Sequence, residues 1–470
     1  MLDQNQTQTD SGQSEKNIDE LLDRLNGISG SGDKAQPEPV DDGERSFVDS
    51  EGNFFPSEPR NWHEAGIAES LVEELISKFL LAVGETTIRS ISAQVALPFP
   101  MIETLVARMK SEQLLGYVDQ AAMNDYVCKL TELGRSRAKR YSDFCTYYGA
   151  APVPYRSYVE SVTAQTIADQ NPSEQDLSKA FSDLLIDPAM MGKLGPAVNS
   201  GRGMFLYGFP GNGKTSIAER VTASFGKYIW IPRAISMDRD VVRLYDSMNH
   251  IAAEKEESDG LISNETQDGR WVRIERPTIV VGGELQMAHL ELQYNSQTGI
   301  SEAPVQMKSN CGTLVIDDFG RQQMTVDELL NRWIVPLEKR YDYLNTSNGK
   351  KVQVPFDQLV IFSTNLEPKD LVDDAFLRRI PYKIEVPNPS IENFVKLFEI
   401  MCRVMKFEFK PELIKYLLQT HYMPTNRPLR NCHPRDILLQ VRNYSLYNKI
   451  PMELTQESLD FACENYFSIM

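Results

Sequence analysis

One octapeptide constrains this 470-residue chain more than any other feature. Gly208, Phe209, Pro210, Gly211, Asn212, Gly213, Lys214 and Thr215 follow the apolar run at 204–207 and precede a helix-like stretch at 216–221. In that setting the octapeptide reads as a phosphate-binding loop. The three glycines let backbone N–H groups converge on a polyphosphate without Cβ interference, and the following helix aims its positive dipole end at the same anion. Lys214 is expected to neutralise the β and γ phosphates, the Thr215 hydroxyl to ligate magnesium, and Ser216 to complete the cradle. A glycine-rich turn that binds nothing is the competing reading, but Gly-Lys-Thr in this register has no packing purpose. The loop alone does not separate ATPases from GTPases or small-molecule kinases.

The net charge of −17 is uneven, because residues 1–60 hold 14 Asp and Glu against 5 Lys and Arg, a net −9. That balance disfavours wholesale attachment to nucleic acid. No apolar run approaches the roughly 18 residues needed to cross a bilayer, and the polar start lacks the blocks of a signal peptide, so no membrane insertion and a cytoplasmic location are expected. The six cysteines show no zinc or disulfide spacing and read as buried hydrophobes or free thiols.

Composition divides the chain into five parts. Residues 1–60 are polar and acidic and are expected to be a disordered tail, with Ile18, Leu21, Leu22 and Leu25 marking a short helix for a partner or a transient one. Residues 61–141 read as helix, helix, turn, helix and hairpin, the order of a winged helix, and the phrase at 131–138 resembles the helix opening that follows the wing in such domains. Such a domain binds either DNA or a protein. Between Glu85 and Arg140 there are 8 basic and 6 acidic residues. The expected recognition helix offers Thr104, Arg108, Lys110 and Ser111 while carrying Glu103 and Glu112, which leans toward protein docking. Residues 142–172 are expected to be a linker, 173–387 a nucleotide-binding core and 388–470 a helical C-terminal part.

Within the core, short apolar runs at 204–206, 228–231, 313–316 and 359–363 read as strands buried on both faces of a parallel sheet. The third run ends in Asp317 and Asp318, at the carboxyl end where ligands of such a sheet sit. Asp317 is expected to orient the magnesium shell and Asp318 to polarise an attacking water. The fourth run ends in Thr364 and Asn365, whose amide can bond a γ phosphate or the water without adding charge. The link at 252–312 is unusually long. Its Met287, Leu290 and Tyr294 are candidates for gripping a substrate, against ordinary packing in a loop or hairpin.

These residues together resemble the AAA+ ATPases, with Walker A at 208–215, Walker B at 314–318 and sensor 1 at Asn365; the resemblance covers about residues 173–470. It implies ATP and Mg2+ as cofactors and an α/β P-loop core with a C-terminal helical lid, here behind an α+β winged-helix domain and the tail. It also implies a homo-oligomeric ring, expected to be a hexamer. By the same resemblance Arg378 and Arg379 look like the segment carrying arginine fingers for a neighbouring subunit, without a ranking between them. Arg435, in Asn431-Cys-His-Pro-Arg-Asp436, looks like sensor 2 of the lid. A hairpin expected over 341–354 resembles the pre-sensor-1 superclade, and the lid looks closest to MoxR-like members.

Two departures stand out. Phe209 replaces the usual proline in a loop that works through its backbone. Asp318 replaces the usual glutamate and sets the carboxylate roughly 1.5 Å further back, one C–C bond, so slow or water-relayed hydrolysis is expected. The leading expectation is a ring ATPase that remodels or assembles a protein recruited through its N-terminal region. The alternative is an ATP-switched regulator whose winged helix reads DNA.

Overall fold

The computed structural model describes residues 53–123, 125–238, 240–254 and 266–468. The short helix expected around Ile18, Leu21, Leu22 and Leu25 lies outside the described residues, as do residues 255–265 of the long link. So does most of the tail, but not its end. Phe54 is buried with its ring 5.4 Å from Trp271, and the Glu58 N–H bonds Thr266 O at 2.7 Å, so ordered structure begins before residue 61.

The first unit runs α1 (Glu69–Val83), β1 (Glu85–Thr87), α2 (Ile88–Val95), α3 (Phe99–Ser111), β2 (Leu115–Ala121), β3 (Asp125–Leu130) and α4 (Glu132–Phe144). The strands pair antiparallel in the order β1-β3-β2, and the helices bury Leu75, Ile76, Ile91, Ile102 and Leu105 against them. Thr131 caps α4 by accepting the Gly134 N–H. Gly134 lets the first turn of α4 pass hard against the chain just ahead of β2, because a Cβ there would stand 1.9 Å from Leu114 O.

The expected linker is built into the structure. β4 (Val153–Pro154) pairs with a later strand, and α5 (Tyr155–Ala164) buries Tyr158 and Val162. Two helices, α6 (Glu174–Ala180) and α7 (Pro188–Asn199), then lead into β5 (Met204–Tyr207) and α8 (Lys214–Val221).

The next strands correct the sequence reading. β6 (Tyr228–Pro232) is not in the core sheet; it pairs antiparallel with β9 (Trp271–Glu275). Between them lie β7 (Ala234–Met237) and β8 (Asp240–Arg243). One edge strand of the core sheet is instead β10 (Thr278–Val281), inside the stretch read as a long link. β11 (Gln293–Asn295) and β12 (Ile300–Glu302) complete a separate sheet of order β11-β12-β8-β7-β4. Leu290 is fully buried and cannot grip a substrate, whereas Met287 and Tyr294 are exposed.

The core continues with β13 (Thr313–Ile316), α9 (Val326–Lys339), the hairpin β14 (Tyr341–Asn345) and β15 (Lys351–Pro355), β16 (Leu359–Thr364), α10 (Asp374–Arg379) and β17 (Tyr382–Glu385). Its sheet is parallel throughout, in the order β10-β13-β16-β5-β17. Alternate residues of each inner strand serve opposite faces. Leu206, Val315 and Ile361 meet Ile217, Ala218 and Val221 of α8, while Phe205, Leu314, Ile316 and Phe362 meet Leu329 and Trp333 of α9 and Phe376 of α10. Burial on both faces is why these strands read as unbroken apolar runs. The lid holds α11 (Ile391–Met405), α12 (Pro411–Leu417), α13 (His433–Asn448) and α14 (Gln456–Phe467) around Phe394, Phe398, Leu417, Ile437 and Leu459. An α/β P-loop core with a C-terminal helical lid is thus the fold, as the resemblance implied. Among the described residues, no single helix is long and apolar enough to cross a membrane.

Candidate nucleotide site

The loop between β5 and α8 turns through three positive-φ glycines, 208, 211 and 213, and ends at the N-terminus of α8. At Gly208 a Cβ would stand 2.5 Å from Val386 O, so the strand-to-loop turn passes hard against the segment after β17.

Lys214 is only 7% exposed, and its ammonium donates to Gly208 O at 3.0 Å, Phe209 O at 3.1 Å and Asn365 Oδ1 at 2.8 Å. Burial pulls its pKa below the ordinary lysine value, while Asp317 and Asp318 act in the opposite direction. The Thr215 hydroxyl donates to Asp317 Oδ2 at 2.8 Å, joining the start of α8 to the end of β13.

Asn365, at the end of β16, donates through Nδ2 to Asp318 Oδ1 at 3.2 Å. Asp318 has φ +47, the left-handed region that short polar side chains enter more readily than glutamate. Its backbone N–H donates to Asp317 Oδ1 at 3.0 Å. Sequence reasoning missed the residue that braces this turn. Gln322 donates to the carbonyls of Asp317 and Asp318 at 3.1 and 3.2 Å, and its Oε1 accepts the Gly320 N–H at 2.8 Å.

A cleft of about 670 Å³ opens over this group. The loop, including Ser216, forms one wall with Asp317, Asp318 and Asn365; residues 184–187 and Met190 form a second. Val386, Pro387, Leu397, Met401, Asn431, Cys432 and Arg435 close it from the lid side. A polar, cationic end and an apolar flank suit a nucleotide, with phosphates on the loop and a base against the apolar residues. Phe209 projects into solvent, 56% exposed, with the Arg430 guanidinium 5.3 Å from its ring. Arg435 lines the cleft with its Nε bonded to Asp436 Oδ1 at 3.0 Å.

Arg378 and Arg379 are not in this cleft. They line a separate depression with Arg202, Glu338 and Arg340, where Arg379 Nε meets Glu338 Oε1 at 2.9 Å. His433 is a packing residue, 2% exposed among the rings of Tyr422, Tyr466 and Phe467, its Nδ1 3.0 Å from Tyr422 OH. Burial first, then Arg430, pushes its pKa down to about 4.

Thr215 and Asp317 test whether magnesium fits. Both offer hard oxygen donors beside the loop, and a magnesium ion usually takes one or two protein oxygens with phosphate and water supplying the rest. The residues present fit that ion.

The fold and the cleft define the class: an α/β P-loop protein with a glycine-rich loop and a cleft at the carboxyl end of its sheet and a helical lid beside them. A family described as "Domain of unknown function (DUF8689)" matches residues 390–465, which lie in the lid. No curated protein matches the chain. Among solved structures, a point mutant of RuvB from Thermotoga maritima is similar at 12% identity and a TM-score of 0.34, over 66% of this chain and 73% of that one. The Thermotoga maritima RuvB Holliday junction branch migration motor is similar at 13% identity and a TM-score of 0.35, over 62% and 73% of the two chains.

Proposed function

We propose that the protein is a magnesium-dependent AAA+ ATPase that works as a homo-oligomeric ring, expected to be hexameric, and remodels or assembles a protein partner. The observation that carries the reading is the meeting of Lys214, Thr215, Asp317, Asp318 and Asn365, from three separate chain segments, at one cleft. In this reading water attacks the γ phosphorus, the bond to the β–γ bridging oxygen breaks, and ADP leaves. Asp318 accepts the water's proton, Asn365 orients the water, and the loop amides with Lys214 hold the phosphate oxygens. Magnesium on Thr215 and Asp317 would supply charge neutralisation at the phosphates. Arg435 would reach the phosphates within the subunit, and Arg378 or Arg379 those bound by a neighbour, consistent with their place outside their own cleft.

The N-terminal unit supports a protein partner over DNA. Arg108 on α3 is paired with Glu69 and, at 3.6 Å, with both Glu73 and Glu112. Lys110 lies over the Tyr117 ring at 3.7 Å. Two of the expected phosphate contacts are therefore already engaged.

ATP turnover by the full chain, alone and as Lys214→Ala, tests the site. Turnover abolished by the substitution is expected; an unchanged rate overturns the assignment. Specific activity should also fall on dilution through the monomer range, whereas a constant value contradicts the shared site.

A further inference from the structure

Three successive carbonyls of the phosphate loop accept from three successive lid residues. Pro210 O takes Arg430 NH1 at 2.7 Å, Gly211 O takes the Cys432 N–H at 2.9 Å, and Asn212 O takes Asn431 Nδ2 at 3.0 Å. The Asn212 side chain, in a residue only 1% exposed, completes the arrangement. Its Oδ1 accepts the Asn431 N–H at 3.3 Å, and its Nδ2 donates to Asn388 Oδ1 at 2.8 Å. Asn388 lies in the connection between β17 and α11. One loop side chain therefore joins the core, the connection and the lid. The contact is close: a Cβ at Gly211 would stand 2.4 Å from Cys432 Sγ.

The peptide unit gives the consequence. The C=O of one residue and the N–H of the next share a planar trans group and point in opposite directions. Holding the oxygens of residues 210, 211 and 212 on the lid segment turns the N–H groups of 211, 212 and 213 away from it, the orientation in which a loop of this kind receives a polyphosphate. A bonded carbonyl also makes its own N–H a stronger donor.

We propose that Asn388 and Asn431, acting through Asn212, are positioning residues for the phosphate grip: the loop keeps its anion-binding geometry while residues 430–432 are docked on it, so phosphate affinity and lid docking are one equilibrium. The inference rests on the nucleotide reading of the cleft. By linkage, a bound polyphosphate strengthens lid docking by the same factor by which docking strengthens binding.

The test uses the full chain as wild type, Asn212→Ala, Asn388→Ala and Asn431→Ala, with thermal unfolding to confirm that each is folded. ADP affinity is expected to fall about three- to tenfold per variant, as the loss of one or two hydrogen bonds implies. Adenosine, titrated to millimolar concentration, carries no phosphate and should lose less affinity than ADP in every variant. In the wild type ADP should also slow hydrogen exchange at the Cys432 amide, and in Asn212→Ala that protection should shrink. Unchanged ADP affinity, an equal loss for ADP and adenosine, or no protection at Cys432 overturns the coupling and leaves the nucleotide site standing. A wild type that binds neither ligand overturns the site and the coupling together.

Discussion

Lys214 Nζ donates to Asn365 Oδ1 across 2.8 Å, so the loop lysine and the amide at the end of β16 touch directly. The other end of the same amide holds Asp318. Asn365 thus spaces a cation from a carboxylate that would otherwise be drawn together, and a γ phosphate would enter by displacing the first contact.

Asn365→Ala should therefore separate binding from turnover. ATP affinity should change little, while kcat falls by about 100-fold, the scale of losing one positioned amide at a developing charge. Equilibrium binding beside steady-state kinetics reads both; a loss confined to affinity contradicts the role.

Asp318→Asn keeps a side chain that tolerates φ +47, so the turn should survive while the proposed proton acceptor is removed. Turnover should drop by about 100-fold or more with ATP binding retained. Asp318→Glu restores the longer reach but places glutamate in a left-handed backbone, so higher turnover together with a lower unfolding midpoint is expected.

His433 is expected to make the stability of the chain pH-dependent. Its folded pKa of about 4 lies below the ordinary value of 6.5, so the unfolded chain binds the extra proton between those values. Its stabilising contribution is present above pH 6.5 and is lost as pH falls toward 4, by up to about 3 kcal/mol. Urea unfolding across that range should show the slope, and His433→Gln should flatten it.

Gly134→Ala forces a methyl group to within 1.9 Å of Leu114 O unless the backbone shifts. A cost of about 1–3 kcal/mol is expected, seen in urea unfolding of the full chain. ATP turnover per folded molecule should not change.

Much of the cleft was legible as residues. The octapeptide at 208–215, the aspartates ending β13 and the amide ending β16 all announce themselves by type and position along apolar runs. The sheet was less so. β6 and β10 are equally short apolar runs, and only pairing shows that Thr278 sits beside Thr313 while Tyr228 sits beside Glu275. β17 escaped notice because it lies at the sheet edge, where Ile384 alone of its four residues is buried. Such a strand carries no continuous apolar signal. Gln322, Asn388 and Arg430 were invisible as site residues, since nothing in their neighbours along the chain marks them.

The sequence by itself determined the chemistry available at the loop, the order of the motifs and the alternation that buries each inner strand on both faces. These follow from local rules: glycine for close backbone approach, paired apolar faces for burial, carboxylates at strand ends. Only the tertiary structure decided which strands share the core sheet, that Arg378 and Arg379 lie away from their own cleft, and that three lid residues bond the carbonyls of the loop. Those are contacts between segments far apart along the chain, set by packing and hydrogen-bond geometry, for which no local pattern exists to be read.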